Sequence, residues 1–147
     1  MDDLDSYDRK ILAELRTDGR ITVTELAARV GLSKTPCQIR MRKLEDRGFI
    51  RGYAARLDPE KLGVGHVAFV QVSLTDTRSA SLAAFNKAVA GFPEIEQCHM
   101  MAAGFDYLLK VRNRDIAAYR QFHAEHISEL PHVAQTSTFV AMQSVKE

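Results

Sequence analysis

Six cations crowd one short stretch of this 147-residue chain: Lys34, Arg40, Arg42, Lys43, Arg47 and Arg51, against only Glu45 and Asp46 between Ser33 and Arg51. The whole chain carries a net charge of only +1, so the positive charge is concentrated. Lys and Arg side chains neutralise phosphates, and Arg and Gln also reach the edges of bases in a major groove. Charges on a helix ordinarily mean no more than a solvated face. Here they follow a capped helix and a glycine turn, and that combination points to double-stranded DNA as a partner.

The elements that must position these cations are written locally. Thr22-Val23-Thr24-Glu25 sets a Thr three residues before a Glu, the pattern of a capping box. Leu26, Ala27 and Val30 share one face, and Gly31 can take the left-handed conformation that ends a helix. Thr35-Pro36-Cys37-Gln38 offers a second helix start, with Ser33 as the alternative cap. In that helix Cys37, Met41 and Leu44 face inward, while Gln38, Arg40, Arg42, Lys43 and Arg47 occupy the other sides and Gly48 terminates it. An earlier helix over residues 5–17 carries Ile11, Leu12 and Leu15 as its stripe, has Asp5 and Asp8 at its N-terminus and is followed by Gly19. Together these make a tri-helical helix-turn-helix unit with a cationic second helix.

A second candidate chemistry lies in the C-terminal half. Asp106 sits inside the apolar run Phe105 to Leu109, just past Gly104. Its carboxylate can hold an ammonium group while turn N–H groups hold a carboxylate, which together would grip an α-amino acid. Thr136, Ser137 and Thr138 can add hydroxyl bonds. The plainer alternative is that Asp106 bonds its own hairpin and the threonines merely favour a strand. Catalytic constellations are not found. His123 and His126 are three apart with Glu125 between, which fits neither zinc-protease pattern and offers no third ligand. Gly63-Val64-Gly65 precedes a strand rather than a helix, and no Ser, Cys or Lys nucleophile has an activating partner. Neither an enzyme nor a cofactor is expected.

The C-terminal half must be a different kind of module. Residues 48–57 read as an extended linking strand, broken at Asp58-Pro59. From Gly65 the apolar period changes from 3.6 to 2. Residues 66–74 alternate as a strand, and residues 79–92 form a helix with Leu82, Phe85, Val89 and Phe92 inward. Residues 95–102 and 105–112 are strands across an Ala103-Gly104 hairpin. Asp115 caps a helix through Ile116, Tyr119, Phe122 (or His123) and Ile127, and residues 135–145 form the last strand. This β-α-β-β-α-β order is ferredoxin-like. The expected fold is therefore α+β, with a winged-type helix-turn-helix at 1–49, a linking strand and loop at 50–63, and a ferredoxin-like module at 64–147. Phe69, Met101, Phe105, Tyr107 and Leu109 cannot all point at the two helices if Leu108, Val70 and Val72 do. A second copy of the sheet would cover the remainder, giving a two-fold dimer that sets two reading helices at a fixed spacing.

Composition agrees with a globular protein, at 46% hydrophobic and 27% charged residues. The acidic start (Asp2, Asp3, Asp5) is unlike a signal peptide, and the apolar run from Val64 to Leu74 is too short to span a bilayer. Cys37 and Cys98 read as buried thiols. A cytoplasmic protein without a membrane partner is expected.

Leu32-Ser33-Lys34-Thr35-Pro36-Cys37 and Arg42-Lys43-Leu44-Glu45-Asp46-Arg47-Gly48-Phe49-Ile50 together resemble the recognition-helix signature of the Lrp/AsnC (feast/famine) transcriptional regulators. Asp8-Arg9-Lys10-Ile11-Leu12 and Asp18-Gly19-Arg20 match the family's opening helix, and Cys98-His99 and residues 105–110 match its C-terminal module. The resemblance spans essentially the whole chain. It implies a DNA-binding regulator whose assembly and affinity respond to an amino-acid effector, with dimers assembling further to octamers. Its DNA-facing positions would include Ser33, Lys34, Thr35, Gln38, Arg40, Arg42 and Lys43. Its effector positions would be Met100, Ala102, Ala103, Gly104, Phe105, Asp106, Thr136, Ser137, Thr138 and Phe139. The family usually places its hairpin glycine three residues before the aspartate, where this chain has Ala103. The competing expectation is an architectural DNA-compacting protein with no effector.

Overall fold

The computed structural model describes residues 4–146; Asp2 and Asp3 of the acidic start lie outside the described residues. The chain divides into two compact units, Met1–Arg56 and Leu57–Glu147.

In the first unit, α1 (Ser6–Thr17), α2 (Val23–Val30) and α3 (Lys34–Asp46) surround one small core. The Asp5 carboxylate caps α1 by accepting from the N–H groups of Tyr7 and Asp8, satisfying donors that have no partner inside the helix. Thr22 caps α2 by accepting from the Glu25 N–H at 3.2 Å. Only this arm of the capping box forms among the described residues, because the Glu25 carboxylate turns instead to Arg29 at 2.6 Å. Gly31 ends α2 with φ +78° and its N–H donates back to Ala28, a conformation that glycine adopts without a Cβ clash. Of the two start signals for α3, Ser33 holds the cap position and Pro36 falls within the first turn, where its missing N–H costs nothing. Ile11, Leu26, Ala27, Val30, Cys37 and Leu44 are buried together.

Residues 50–57 form no strand. An extended segment needs a neighbour to ladder with, and the first unit supplies none. Side chains hold it instead: the Tyr53 hydroxyl donates to Glu45 at 2.9 Å. Burial, and then the Glu45 carboxylate, push the Tyr53 phenol up to about 12.

The second unit is a four-stranded antiparallel sheet in the order β2-β3-β1-β4, built from β1 (His66–Leu74), β2 (Ile95–Met100), β3 (Tyr107–Asn113) and β4 (Val133–Val140). Helices α4 (Ser79–Val89) and α5 (Ile116–Phe122) cover one face, with α5 running on into a π-helical turn over His123–Ile127. Ala68, Val70 and Val72 of β1 and Tyr107, Leu109 and Val111 of β3 pack beneath Phe85, Tyr119, Phe122 and Ile127. Register shows why. Val70 faces Leu109 and Val72 faces Tyr107, so these four share a side. The expectation that Leu108 joins Val70 and Val72 under the helices is corrected: Leu108 pairs with Gln71 on the opposite face. Phe69 and Phe139 face each other there, and Phe139 is 52% exposed. The sheet therefore does carry apolar side chains on both faces, divided differently.

Several element boundaries also move. The β2–β3 connection is a six-residue turn over 101–106 rather than a two-residue hairpin, α4 stops at Val89, and β4 begins at Val133 and ends at Val140. No helix among the described residues is long and apolar enough to cross a membrane.

Candidate nucleic-acid interface and effector face

The exposed side of α3 gathers most of the expected DNA-facing residues. Lys34, Gln38 and Arg42 recur every four residues and so lie on one strip, with Thr35 and Lys43 beside them; all five are exposed, as is Ser33 at the cap. The buried Cys37 and Leu44 anchor the opposite side to α1 and α2. Burial pushes the Cys37 thiol up, so it packs as a neutral apolar group. Arg47 lies over the Phe49 ring, 4.9 Å from its centre, at the end of the helix remote from the glycine turn.

Arg40 departs from this picture. Its guanidinium donates to Asp5 Oδ2 at 2.6 Å and to Asp8 Oδ1 at 2.7 Å, and lies 5.5 Å from the centre of the Tyr7 ring. The bonds to Asp8 and then to Asp5 raise its pKa further, so it stays charged. Asp5 is held below the usual carboxylate range, first by the Asp8 N–H and then by Arg40. In this structure Arg40 ties α3 to α1 rather than projecting outward. Sequence reading missed this clasp because both acids had been assigned to the helix terminus alone. It also missed Ile39, which is 52% exposed on α3. The available signal was an apolar residue two positions from Cys37, off the inward stripe.

The expected effector residues separate into groups. Met100, Ala102, Ala103 and Gly104 are exposed at or beside the 101–106 turn, with Phe105 and Asp106 half-buried. The Asp106 backbone continues the sheet, its N–H donating to Val72 O at 2.9 Å and its carbonyl accepting from Met101 at 2.8 Å. Its carboxylate Oδ2 accepts from the Leu74 N–H at 2.7 Å, which replaces a rung of the ladder. The simpler reading of Asp106 thus accounts for one of its oxygens. Oδ1 has no hydrogen-bond partner among the described residues.

Thr136 and Thr138 turn toward α5. Tyr119 Oη and Thr138 Oγ1 are 2.5 Å apart, and His123 Nε2 and Thr136 Oγ1 are 2.9 Å apart. Burial lowers the His123 pKa and raises that of Tyr119, which favours neutral hydrogen-bonding groups. Ser137 and Phe139 alternate to the other face, opposite Gln71 and Phe69. Moreover, Met100, Tyr107, Val72 and Thr136 form one cross-strand row. Three strand spacings separate Met100 from Thr136 along it, about 14 Å. Met100 and Thr136 thus stand on the two edge strands, whereas Asp106, bonded to Val72 and Leu74, has only β1 between it and β4.

Among the described residues no group of three His, Cys, Asp or Glu is placed to hold a metal ion.

Comparison with known proteins bears directly on both units. Residues 4–51 match the model of winged helix-turn-helix DNA-binding domains, and residues 67–147 match the Lrp/AsnC ligand binding domain. A proline dehydrogenase transcriptional activator of Rhizobium radiobacter is 58% identical over 146 residues, covering 99% of this chain and 94% of the relative. The leucine-responsive regulatory protein of Escherichia coli is 47% identical over 99% of this chain and 88% of its own length. Among solved structures, an AsnC family transcriptional regulator from Agrobacterium tumefaciens superposes with a TM-score of 0.92 at 38% identity, covering 98% of this chain and 94% of that one. A transcriptional regulator from Neisseria meningitidis in complex with L-Met gives 0.92 at 34% identity, over 99% and 94%. With matches that reach from the recognition helix to the last strand, the chain belongs to the Lrp/AsnC family: it is a DNA-binding regulator of transcription with a ligand-binding domain, and not an enzyme.

Proposed function

We propose that this protein activates transcription of a proline dehydrogenase gene and that L-proline is its effector. The observation that carries the reading is the 58% identity, over almost the full length of both chains, to a relative named as the activator for proline dehydrogenase, an enzyme whose substrate is proline, with a second such relative from Rhodobacter capsulatus at 56%. The L-Met bound to the Neisseria meningitidis regulator supports an amino acid as the class of ligand.

In this reading residues 1–49 bind DNA and residues 64–147 bind the effector and pair subunits. Lys34, Arg42, Lys43 and Arg47 neutralise phosphates, while Ser33, Thr35 and Gln38 bond to backbone or base edges. Arg40 acts behind them by holding α3 on α1. Asp106 Oδ1 accepts from the secondary ammonium of proline, N–H groups of the 101–106 turn take its carboxylate, and Met100 and Phe105 border its ring. Because Met100 and Thr136 stand on the two edge strands, about 14 Å apart, the complete pocket draws on more than one subunit. The dimer covers the Phe69, Leu108 and Phe139 face, and further assembly to octamers joins turn to edge strand. Proline then shifts assembly, and DNA affinity follows by linkage.

A thermal-shift screen of the twenty amino acids, followed by DNA binding with and without the responder, tests this. A ligand at 100 times its dissociation constant adds about 2.7 kcal/mol. Stabilisation by proline with an accompanying change in DNA affinity is expected. A response to another amino acid would replace the effector, and no response to any would favour the architectural alternative.

A further inference from the structure

We propose that Ile39 is a specificity-determining residue that reads the methyl group of a thymine. The inference rests on α3 entering the major groove and goes beyond it by assigning a base feature to one side chain.

Position is the first argument. At about 100° per residue, Ile39 lies about 200° around α3 from Cys37 and about 140° from Leu44, the two fully buried anchors of the helix. It therefore stands at the middle of the face turned away from the core. Its helical neighbours at i−4, i+3 and i+4 are Thr35, Arg42 and Lys43, all exposed. A single apolar side chain on a surface is unremarkable in itself. One flanked by Arg42 and Lys43 on the face that must meet a polyanion is different, because docking will desolvate it.

Chemistry is the second argument. The surrounding charge selects nucleic acid as the occupant, and within a major groove the apolar feature of the base edges is the C5 methyl of thymine. Thr35 and Arg42 flank Ile39 and limit where that thymine can sit relative to the phosphates they approach. Gln38, adjacent on the strip, can bond an adenine on its N6 and N7 edge. The face as a whole therefore favours an A·T-containing step, with Ile39 distinguishing T from C by contact and from A by the absence of a donor or acceptor.

The test uses the full chain and duplexes it selects from a random pool. Each thymine of the selected site is replaced in turn by deoxyuridine, which removes the methyl and keeps the base pair. At one thymine per half-site, affinity should fall about fourfold, corresponding to the ~0.8 kcal/mol of one buried methylene-sized group. Ile39→Ala should bind the thymine and deoxyuridine duplexes equally, Ile39→Val should keep part of the difference, and Arg42→Ala should weaken both duplexes while preserving their ratio. If Ile39→Ala shows the wild-type difference, or if no thymine responds, the inference about Ile39 is overturned. Should Lys34→Ala and Arg42→Ala also bind as tightly as wild type, the assignment of α3 to DNA fails with it.

Discussion

Replacing Asp106 separates two roles that its carboxylate carries at once. Oδ2 accepts from the Leu74 N–H at 2.7 Å, and both residues are half-buried. Asp106→Ala leaves that N–H without its partner. A buried donor so stranded costs about 1–3 kcal/mol, and partial access of water to Leu74 places this case at the lower end, about 1–2 kcal/mol. For a domain of this size 1 kcal/mol moves the melting temperature by about 4–8 °C, so the midpoint should fall by roughly 4–16 °C. Asp106→Asn keeps an oxygen acceptor for Leu74 and discards the charge, and should recover at least half of that loss. Its response to the amino acid that stabilises wild type should nevertheless disappear, because a neutral amide oxygen holds an ammonium group poorly. Melting curves of the three proteins with and without that amino acid read both roles. If Asp106→Ala melts with wild type, the Leu74 anchor contributes nothing. If Asp106→Asn retains the full ligand shift, the ammonium contact is refuted.

Four other perturbations have definite outcomes. Arg40→Ala should lower the stability of the first unit and weaken binding to all DNA sequences alike, with base preference unchanged in a selection experiment, and Arg40→Lys should restore part of the affinity. Gly31→Ala meets no atom within 4 Å but must adopt φ +78°; the conformational cost alone should destabilise the protein by about 1–2 kcal/mol in denaturant titration. The Asp76 carboxylate, bonded first to the Arg78 side chain and also to the Arg78 N–H and Ser81, is held down at about 2. Its stabilising contribution is present above the ordinary carboxylate range and is lost as pH falls toward 2, so Asp76→Asn should flatten the acid limb of a stability–pH curve between pH about 4 and 2. Phe139→Lys places a charge on the exposed apolar face and should shift the protein toward smaller species in sedimentation velocity, with its melting curve otherwise near wild type.

The parts of this molecule that could be read from the chain are those decided within a few residues. Asp5 and Thr22 cap helices because a cap needs only its own first turn, and Gly31 ends α2 for an equally local reason. Ser33 and Thr35 compete as starts of α3 because Pro36 is tolerated anywhere in the first turn, and the Cys37 N–H, donating to the Ser33 carbonyl, marks Ser33 as the cap. The face taken by Leu108 was misjudged because Tyr107, Leu108 and Leu109 are consecutive apolar residues, so alternation alone cannot say which set is inward. The ion pairs of Arg40 were not legible for a different reason: its partners are 35 and 32 residues away, and no spacing within α3 announces them. The separation of Met100 from Thr136, by contrast, was implicit in the ferredoxin-like strand order. Likewise the division of Thr136 and Thr138 from Ser137 and Phe139 was implicit in the two-residue period of a strand.

The placement of β1 at the centre of its sheet has a consequence for biosynthesis. Its two flanking ladders are to β3 and β4, and the latter reaches Val140, whereas the core of the first unit is made entirely of residues before Arg56. At roughly 5–20 residues per second on the ribosome, the reading head can fold about 4–17 s before the last strand that the sheet requires has been made. Within that interval Val67 to Val72, and later Tyr107 to Val111 once it has been made, are uncovered apolar segments in a nascent polypeptide. Slow translation near the 3′ end of the message, or a shortage of chaperones, would expose them for longer.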